Sequence, residues 1–332
     1  MIKISIALCT YNGEKYLAEQ LQSLFDQSLS PDEIVVSDDG SKDSTLVIVE
    51  TFKLRDRIPI RVLTHDQNLG VYRNFIHCIE NCTGDIIFTC DQDDYWMPNK
   101  LEKHMLIHTN NPEVDLVYSN AEVVLNTLDH VLYPLWERES ILDVQKGKSS
   151  FSSLVVKGQS IAGCCMSFKK SFFEKILPVP DLVYHDDWIA TSACLSGKII
   201  GLPEPLIKYR QHGGNVVGTV RGSKLSFYKS LFTNVTFYHE ADTYIAQRHH
   251  RVYDNMANHR YLAQFIQNQN IKAVTELYDA RSNYRSRTVI DVVNTLTQQL
   301  KKGHYRALNG VWTYLKDLYN LIFIKLSKNK AK

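Results

Sequence analysis

Three carboxylates lie within four residues in the segment Asp91-Gln92-Asp93-Asp94. The segment directly follows Asp85–Cys90, an apolar run with the composition of a strand. Like charges at this spacing repel one another, and a divalent cation or another positive group relieves the repulsion. Carboxylate oxygens are hard ligands that suit Mg²⁺ or Mn²⁺, which often take further ligands from a substrate's phosphates. The segment therefore indicates a metal site, with a solvated acidic turn as the structural alternative.

Two adjacent carboxylates, Asp38 and Asp39, follow the second apolar run of the chain. Gly40 permits a tight turn directly after them, and Asp43 is placed to cap the next helix. Carboxylates above a sheet accept hydrogen bonds from ribose hydroxyls or from the N–H groups of a base. Hydroxyl, aromatic and amide side chains follow the first apolar run, in Thr10, Tyr11 and Asn12. Together the two clusters predict one pocket.

Two more polar clusters lie downstream. The acidic pair Asp186 and Asp187 precedes a segment of helical periodicity, and its structural alternative is a helix N-cap with Trp188 as a core anchor. Further along, Arg210 and His212 stand beside two glycines, which suit a loop whose backbone and side chains approach phosphate. Arg210 either neutralises phosphate or pairs with the acidic face, and a loop position without a function is the alternative for His212.

Short β-branched runs alternate with helix-period segments over the first two hundred residues, which predicts βα units around a largely parallel sheet. The predicted strands are Ile4–Cys9, Glu33–Ser37, Ile60–Thr64, Asp85–Cys90, Asp115–Ser119, Ile161–Phe168 and Leu206–Arg210. The predicted helices are Gly13–Asp26, Asp43–Leu54, Val71–Cys82, Pro98–His108, Ser171–Ile176 and Trp188–Leu195. Ligands of open α/β sheets bind beyond the carboxyl ends of the strands, and every polar cluster falls at such an end.

Near residue 220 the alternation of strand-like and helix-like segments gives way to long helical patterns. This change predicts two domains, residues 1–220 and residues 221–332. The second part reads as mainly helical and holds 18 lysine and arginine residues against 7 aspartate and glutamate residues. This charge indicates an anionic partner, a lipid surface or nucleic acid, and a basic helical face balanced against the acidic first part is the structural alternative. Of the two partners, we expect the lipid surface and no nucleic acid. The apolar, aromatic segment Val311–Lys325, followed by three lysines, is typical of a helix in a membrane interface. Packing on the first domain or on a second subunit is the alternative, and a homodimer is left open.

The seven cysteines are odd in number and lie mostly in apolar runs, which predicts free thiols in a reducing compartment. The N-terminus runs straight into a strand pattern, and no apolar run is long enough to span a bilayer. We therefore expect a cytoplasmic protein, at the inner face of the plasma membrane if the C-terminal helix binds lipid. His104 and His108 lie one helical turn apart, and a surface pair is favoured over a metal site.

The order of these motifs resembles the family 2 glycosyltransferases of the GT-A fold. The motifs are Thr-Tyr-Asn-Gly from Thr10, Asp-Asp-Gly-Ser from Asp38, Asn68 with Gly70, and Asp-Gln-Asp-Asp-Tyr-Trp from Asp91. The resemblance covers roughly residues 1 to 215. The last motif is similar to that of bacterial rhamnosyltransferases that build surface polysaccharides. Cys9, usually proline, and Ser37, often valine, depart from the family pattern at positions that supply no chemistry.

The resemblance implies a Rossmann-like GT-A domain, with a mostly parallel sheet flanked by helices, and a function for each cluster. Asp39 contacts the pyrimidine base, Asp91 lies near the ribose, and Asp93 holds a divalent metal, Mn²⁺ or Mg²⁺, that bridges the donor diphosphate. His212 is a further ligand of the metal or diphosphate. Asp94 either supports the metal ligands or caps the turn before Pro98, and the cap is favoured. The full set of candidate nucleotide contacts is Thr10, Tyr11, Asn12, Asp38, Asp39, Asn68, Asp91 and Arg210.

In the resembling family the downstream acidic pair carries the catalytic base, which matches Asp187, with Asp186 as the alternative. The acceptor hydroxyl attacks the anomeric carbon, so one carboxylate must accept its proton. A positioned base typically contributes about 10²- to 10⁴-fold to the rate. Because no second, nucleophilic carboxylate is required, we expect a single displacement with inversion.

These motifs predict an inverting, metal-dependent glycosyltransferase that moves one sugar from a UDP- or dTDP-sugar to a glycan or lipid-linked acceptor. The resemblance implies rhamnose as the sugar and bacterial cell-surface polysaccharide synthesis as the pathway. The alternative is a non-catalytic nucleotide-sugar-binding subunit of a glycan assembly complex. An oxidoreductase is disfavoured because no Gly-x-Gly-x-x-Gly follows the first strand. A processive synthase is disfavoured because a Gln-x-x-Arg-Trp motif is missing.

Overall fold

A computed structural model of the chain describes residues 2–138 and 161–213, apart from positions 56, 66, 182 and 197. It also describes residue 252, residues 255–266 and single positions between 294 and 301. The chain divides into two compact units, residues 1–149 with 160–219, and residues 150–159 with 220–332. The segment Val311–Lys325 and the lysines after it lie outside the described residues, so the helix expected there stays a prediction.

Nine strands form one sheet in the described part of the first unit. They are β1 (Ile4–Thr10), β2 (Glu33–Asp38), β3 (Ile60–Thr64), β4 (Ile86–Cys90), β5 (Tyr95–Trp96), β6 (Leu116–Leu125), β7 (Val131–Pro134), β8 (Met166–Lys169) and β9 (Ile199–Gln211). Their order across the sheet is β3-β2-β1-β4-β8-β6-β9-β5, with β7 paired to β6 outside this path.

Six of these strands run in the same direction. β3, β2, β1 and β4 pair in parallel, as do β6 and β9. β8 is antiparallel to both β4 and β6, which aligns the two parallel groups with each other. β5 and β7 are antiparallel to their partners. The predicted α/β fold with a mostly parallel sheet is therefore confirmed.

Helices connect the strands and flank the sheet. They are α1 (Leu17–Phe25), α2 (Thr45–Lys53), α3 (Val71–Glu80), α4 (Lys100–Asn110), α5 (Leu135–Arg138), α6 (Lys170–Lys175) and α7 (His185–Ser196), with α8 (Ala263–Ile266) in the second unit. β1 is buried at all seven positions and β4 at all five, as expected of central strands covered on both faces. α1 contributes Leu17, Leu21 and Leu24, all fully buried at helical spacing, each stabilising the core by about 1.5–3 kcal/mol.

Two boundaries differ from the sequence prediction in ways that affect the site. α7 begins at His185 rather than at Trp188, which places the acidic pair in its first turn. β9 begins at Ile199 rather than at Leu206 and pairs with β6 along most of its length. Pro203 and Pro205 concealed this strand, because proline cannot donate a ladder hydrogen bond and the register shifts beside them.

In the described part of the chain, no helix has both the length and the apolar character needed to cross a membrane.

α4 buries a polar stripe in which Lys100, His104 and His108 recur every four residues. Both imidazoles lie within hydrogen-bond distance of Ser167 Oγ, His104 through Nδ1 at 2.9 Å and His108 through Nε2 at 3.0 Å. Burial lowers the pKa of both rings, that of His108 to about 4. The expected surface pair is therefore wrong, and both histidines are neutral core residues at neutral pH.

We expect His108 to destabilise the protein as the pH falls from about 6.5 toward 4. Its folded pKa of about 4 lies below the unfolded value of about 6.5, so the unfolded state binds more protons in this window and is favoured by acid. Between about pH 7.5 and about pH 5 the loss is about 2 kcal/mol. Urea denaturation of the wild type and of His108→Gln at both pH values gives the difference in their free energies of unfolding, which isolates the contribution of His108. A stability difference that does not change with pH contradicts the assignment.

Candidate functional site

Side-chain hydrogen bonds join the carboxyl ends of β1 and β2. Thr10 Oγ1 donates to Asp38 Oδ2 at 2.8 Å, and Asp38 also accepts from Ser41 N at 2.8 Å and Ser41 Oγ at 2.6 Å. Asn12 N donates to Ser41 Oγ at 2.9 Å. Gly40 takes a φ of 84° inside the turn. Asp38 is almost fully buried, so it holds the turn in place in addition to its predicted nucleotide contact.

Asp39 organises the loop that follows β3. Its Oδ1 accepts from Leu69 N at 2.6 Å, and its Oδ2 accepts from Gly70 N at 2.9 Å. Asn68 Nδ2 donates to the Asp39 backbone carbonyl at 3.1 Å, which brings the third predicted motif to the same rim. Each carboxylate oxygen has a second lone pair, so Asp39 can still accept a hydrogen bond from a base N–H.

Gln92 joins the end of β1 to the acidic turn. Its Oε1 accepts from Tyr11 N at 2.8 Å, and its Nε2 donates to Tyr11 O at 3.0 Å. A Cβ at Gly13 would lie only 2.2 Å from Gln92 Oε1, so a larger residue there would displace the Gln92 amide. No sequence pattern singled out Gln92, although its position inside the acidic turn was an available signal.

The acidic turn after β4 crowds several ionisable groups together. Carboxylate oxygens of Asp91 and Asp94 and the sulfur of Cys164 lie within 4.8 Å of one another. Burial and then repulsion between the carboxylates raise the pKa of Asp91 well above its usual range and that of Asp94 to about 7. Asp94 is fully buried, and its Oδ1 accepts from Arg210 N at 3.0 Å. The favoured capping function of Asp94 is therefore wrong, because Asn99 precedes α4 and Asp94 binds β9.

Asp93 and His212 are in direct contact. His212 Nε2 lies 2.8 Å from Asp93 Oδ2, and both side chains are about 15% exposed. The two residues meet across 119 positions of sequence because β5, just after the acidic turn, pairs with β9, just before the histidine. A carboxylate and an imidazole at an accessible rim form a donor set that fits a divalent cation.

Arg210 fixes the acidic turn against its surroundings. Its Nε donates to Asp93 O at 2.7 Å, its Nη1 to Asn126 O at 2.6 Å and its Nη2 to Glu19 Oε2 at 2.5 Å. The side chain is only 2% exposed. These contacts support the pairing alternative for Arg210 over phosphate neutralisation.

We expect Arg210→Lys to lower the free energy of unfolding by about 2–4 kcal/mol. One ammonium group cannot reach three separate acceptors, so a buried cation is left with fewer partners and two part-buried carbonyl groups lose their donor. Glu19→Gln is the matched control, because Glu19 is 54% exposed and loss of its charge should cost less than about 1 kcal/mol. Chemical denaturation of both variants measures the effect, and wild-type stability in Arg210→Lys contradicts it.

α7 brings the downstream acidic pair to this edge of the sheet. Asp186 packs against the 3₁₀ turn Gly163–Cys165, since a Cβ at Gly163 would lie 3.5 Å from Asp186 Cβ. Asp186 is also one of the carboxylates that, after burial, raise the pKa of Asp91. Asp187 is 6% exposed, and its charge acts on the neighbouring His185 ring. Asp186 therefore lies near enough to the acidic turn for its charge to act on Asp91.

Two buried polar residues near the site carried no signal in the sequence. Lys100 Nζ donates to Cys164 O at 2.5 Å and lies 3.5 Å from the centre of the Trp96 ring, and burial lowers its pKa to about 8. The ring of His185 stacks on Phe75 with centroids 4.0 Å apart, and burial lowers its pKa to about 3. Isolated polar residues in a helical pattern do not reveal whether they are buried.

The mostly parallel sheet and the polar rim at its carboxyl ends agree with the GT-A fold expected from the sequence. Residues 5–177 match the profile of Glycosyl transferase family 2. This match covers more than half of the chain, and the protein belongs to this family.

Several relatives are named transferases. The dTDP-rhamnosyl transferase RfbG of Shigella flexneri is 27% identical over 255 residues, which cover 72% of this chain and 83% of the relative. An uncharacterized protein of Mycobacterium tuberculosis is 26% identical over 235 residues, or 68% of this chain, and the match spans only 64% of that relative's length.

Solved structures show the same fold at low sequence identity. Residues 1–349 of S. aureus TarS, in complex with UDP-GlcNAc, match with a TM-score of 0.58 and 18% identity over 100% of this chain and 93% of that chain. The mannosyltransferase PcManGT from Pyrobaculum calidifontis, in complex with GDP-Man and Mn²⁺, matches with a TM-score of 0.52 and 15% identity. The match covers 99% of this chain and 86% of that chain.

Proposed function

We propose that this glycosyltransferase is metal-dependent and inverting, and that it moves one sugar from a UDP- or dTDP-sugar to a glycan or lipid-linked acceptor. The observation that carries the proposal is the direct contact between Asp93 and His212 at the rim where β1, β2 and β4 end. Breaking the sugar–phosphate bond builds negative charge on the leaving diphosphate, and a divalent cation held at this rim would stabilise that charge as a Lewis acid.

Asp93 and His212 would hold that cation. The donor set favours Mn²⁺ over Mg²⁺, because imidazole nitrogen suits transition metals whereas Mg²⁺ prefers oxygen ligands. Asp91 and Asp94 lie in the same turn as Asp93, with their carboxylate oxygens close together. Their negative charge supports the same site, because it attracts a cation.

We propose Asp186 as the base that accepts the proton of the acceptor hydroxyl. It packs against the 3₁₀ turn that contains Cys164 and is more exposed than Asp187, which is 6% exposed. The Asp187 amide donates to Asp186 Oδ1 at 2.8 Å, which orients the Asp186 carboxylate. Because this chemistry requires one carboxylate as the base and no nucleophilic carboxylate, one displacement with inversion is the expected course.

The rim supports a pyrimidine nucleotide as the donor. Asp39 is held by two backbone amides at the edge, where it can accept the N3–H of the base. Uracil and thymine present the same N3–H donor to this carboxylate. We propose dTDP-rhamnose as the donor and surface-polysaccharide synthesis as the pathway, on the support of the relative RfbG, which is named a dTDP-rhamnosyl transferase.

We also propose that residues 1–220 form the catalytic domain and that the basic residues 221–332 bring the enzyme to the inner face of the plasma membrane. The support is the charge of the second part, with 18 basic against 7 acidic residues. A lipid-linked acceptor would be reached from that surface.

A thermal-shift screen of sugar nucleotides with Mn²⁺, followed by transfer assays, tests the donor. We expect dTDP-rhamnose to raise the melting temperature by more than UDP-GlcNAc or GDP-mannose, because a ligand that binds the folded state stabilises it. Stabilisation by GDP-mannose alone contradicts the pyrimidine assignment. Donor binding without transfer or hydrolysis by the purified protein supports the non-catalytic subunit instead.

A further inference from the structure

The ring of Tyr16 contacts the corner that contains Asp93. Its centroid lies 4.7 Å from that of His212, with an interplanar angle of 35°, and 4.5 Å from the Arg210 guanidinium carbon. Lys15 Nζ lies 4.8 Å from the same centroid. Tyr16 is 8% exposed, and its backbone N–H donates to Gly13 O at 3.1 Å. The ring is therefore held in place by the loop between β1 and α1.

Both ring partners of Tyr16 reach Asp93. His212 contacts the Asp93 carboxylate through Nε2, and Arg210 donates to the Asp93 backbone carbonyl through Nε. The electron-rich face of an aromatic ring attracts guanidinium groups and packs favourably against other planar rings. A single buried ring thus restricts the two groups that orient Asp93.

We propose that Tyr16 is a positioning residue that holds the His212 imidazole with Nε2 toward Asp93, so that the two ligands are arranged before the cation arrives. The inference rests on the proposed metal site. A histidine at the end of a strand otherwise samples several side-chain rotamers, and fixing one of them in advance removes that entropy cost from binding.

The hydroxyl of Tyr16 takes no part in positioning His212. It is buried and has no hydrogen-bond partner within the described ranges 2–138 and 161–213. The contacts that reach His212 and Arg210 are made by the ring. Tyr16→Phe should therefore keep the effect, whereas Tyr16→Leu should lose it.

Titration of the full-length protein with Mn²⁺ alone, followed by the electron paramagnetic resonance of free Mn²⁺, tests the inference without any turnover. We expect Tyr16→Leu to bind Mn²⁺ about 10-fold more weakly and Tyr16→Phe to stay within about twofold of the wild type. Wild-type affinity in Tyr16→Leu overturns the proposal. Equal losses in the two variants also overturn it, because the hydroxyl would then be the operative group.

Proton NMR of the His212 ring supplies a readout that needs neither metal nor a leucine variant. Stacking on Tyr16 should shift the His212 ring protons upfield in the folded wild type, with His212→Gln identifying the signals. Unshifted signals overturn the contact even if Tyr16→Leu fails to fold.

Asp93→Ala separates the inference from the proposed function. If Asp93→Ala weakens Mn²⁺ binding and Tyr16→Leu does not, the metal site stands and the positioning function of Tyr16 is wrong. If Asp93→Ala and His212→Ala both keep wild-type affinity, the metal site itself is wrong and the inference falls with it.

Discussion

Asp93→Ala should reduce sugar transfer by at least about 10³-fold at saturating donor and Mn²⁺. A bound cation supplies several kcal/mol of charge stabilisation to the leaving diphosphate, and about 4 kcal/mol corresponds to this factor. Asp93 offers the carboxylate that contacts His212, so its removal leaves a lone imidazole to hold the cation. Initial rates of nucleotide release, together with Mn²⁺ affinity, measure the loss.

Asp129→Ala is the matched control, because Asp129 is an exposed carboxylate on the turn between β6 and β7. It should keep both wild-type activity and wild-type Mn²⁺ affinity. Removal of metal with EDTA should inactivate the wild type, and added Mn²⁺ should restore it. Asp93→Ala with near-normal, EDTA-resistant turnover would refute a metal at this corner.

Asp186→Asn should lower the rate of transfer by about 10²- to 10⁴-fold while leaving donor affinity unchanged. Asparagine has nearly the same shape as aspartate but cannot accept the proton of the acceptor hydroxyl. The loss should appear in kcat and in kcat/KM alike, because the interaction is made in the transition state. Donor affinity measured by calorimetry and single-turnover rates separates binding from chemistry.

Asp187→Asn provides the comparison, since both residues lie in the first turn of α7. We expect a smaller effect on the rate, because Asp187 is only 6% exposed and Asp186 is the more accessible of the two. A larger loss in Asp187→Asn than in Asp186→Asn would identify Asp187, and not Asp186, as the base. Near-normal turnover in both variants would exclude this acidic pair from the chemistry.

The gathering of the polar clusters could be predicted because a mostly parallel sheet brings the carboxyl ends of its strands to one edge. The polar side chains after β1, β2 and β4 therefore meet at that edge. The same logic failed for β9, where Pro203 and Pro205 masked the strand, and for the short β5 and β7, whose pairing depends on distant partners.

Helical periodicity shows which residues share a face, but not whether that face is buried. His104 and His108 were expected at the surface, yet they bind Ser167 in the core. Asp94 was expected to cap a nearby turn, yet it accepts a hydrogen bond from Arg210, which lies 116 positions away. Long-range pairing overrode the local preference in both cases.

The sequence by itself determined the family, the α/β fold and the residue types at the carboxyl edge of the sheet, because these follow from motifs and from periodicity along the chain. Only the tertiary structure decided how the residues divide their functions. The pairing of β5 with β9 joins His212 to Asp93, buries Arg210 behind them and brings both within reach of Tyr16. Contacts between residues so far apart depend on strand order and packing, which no local pattern records.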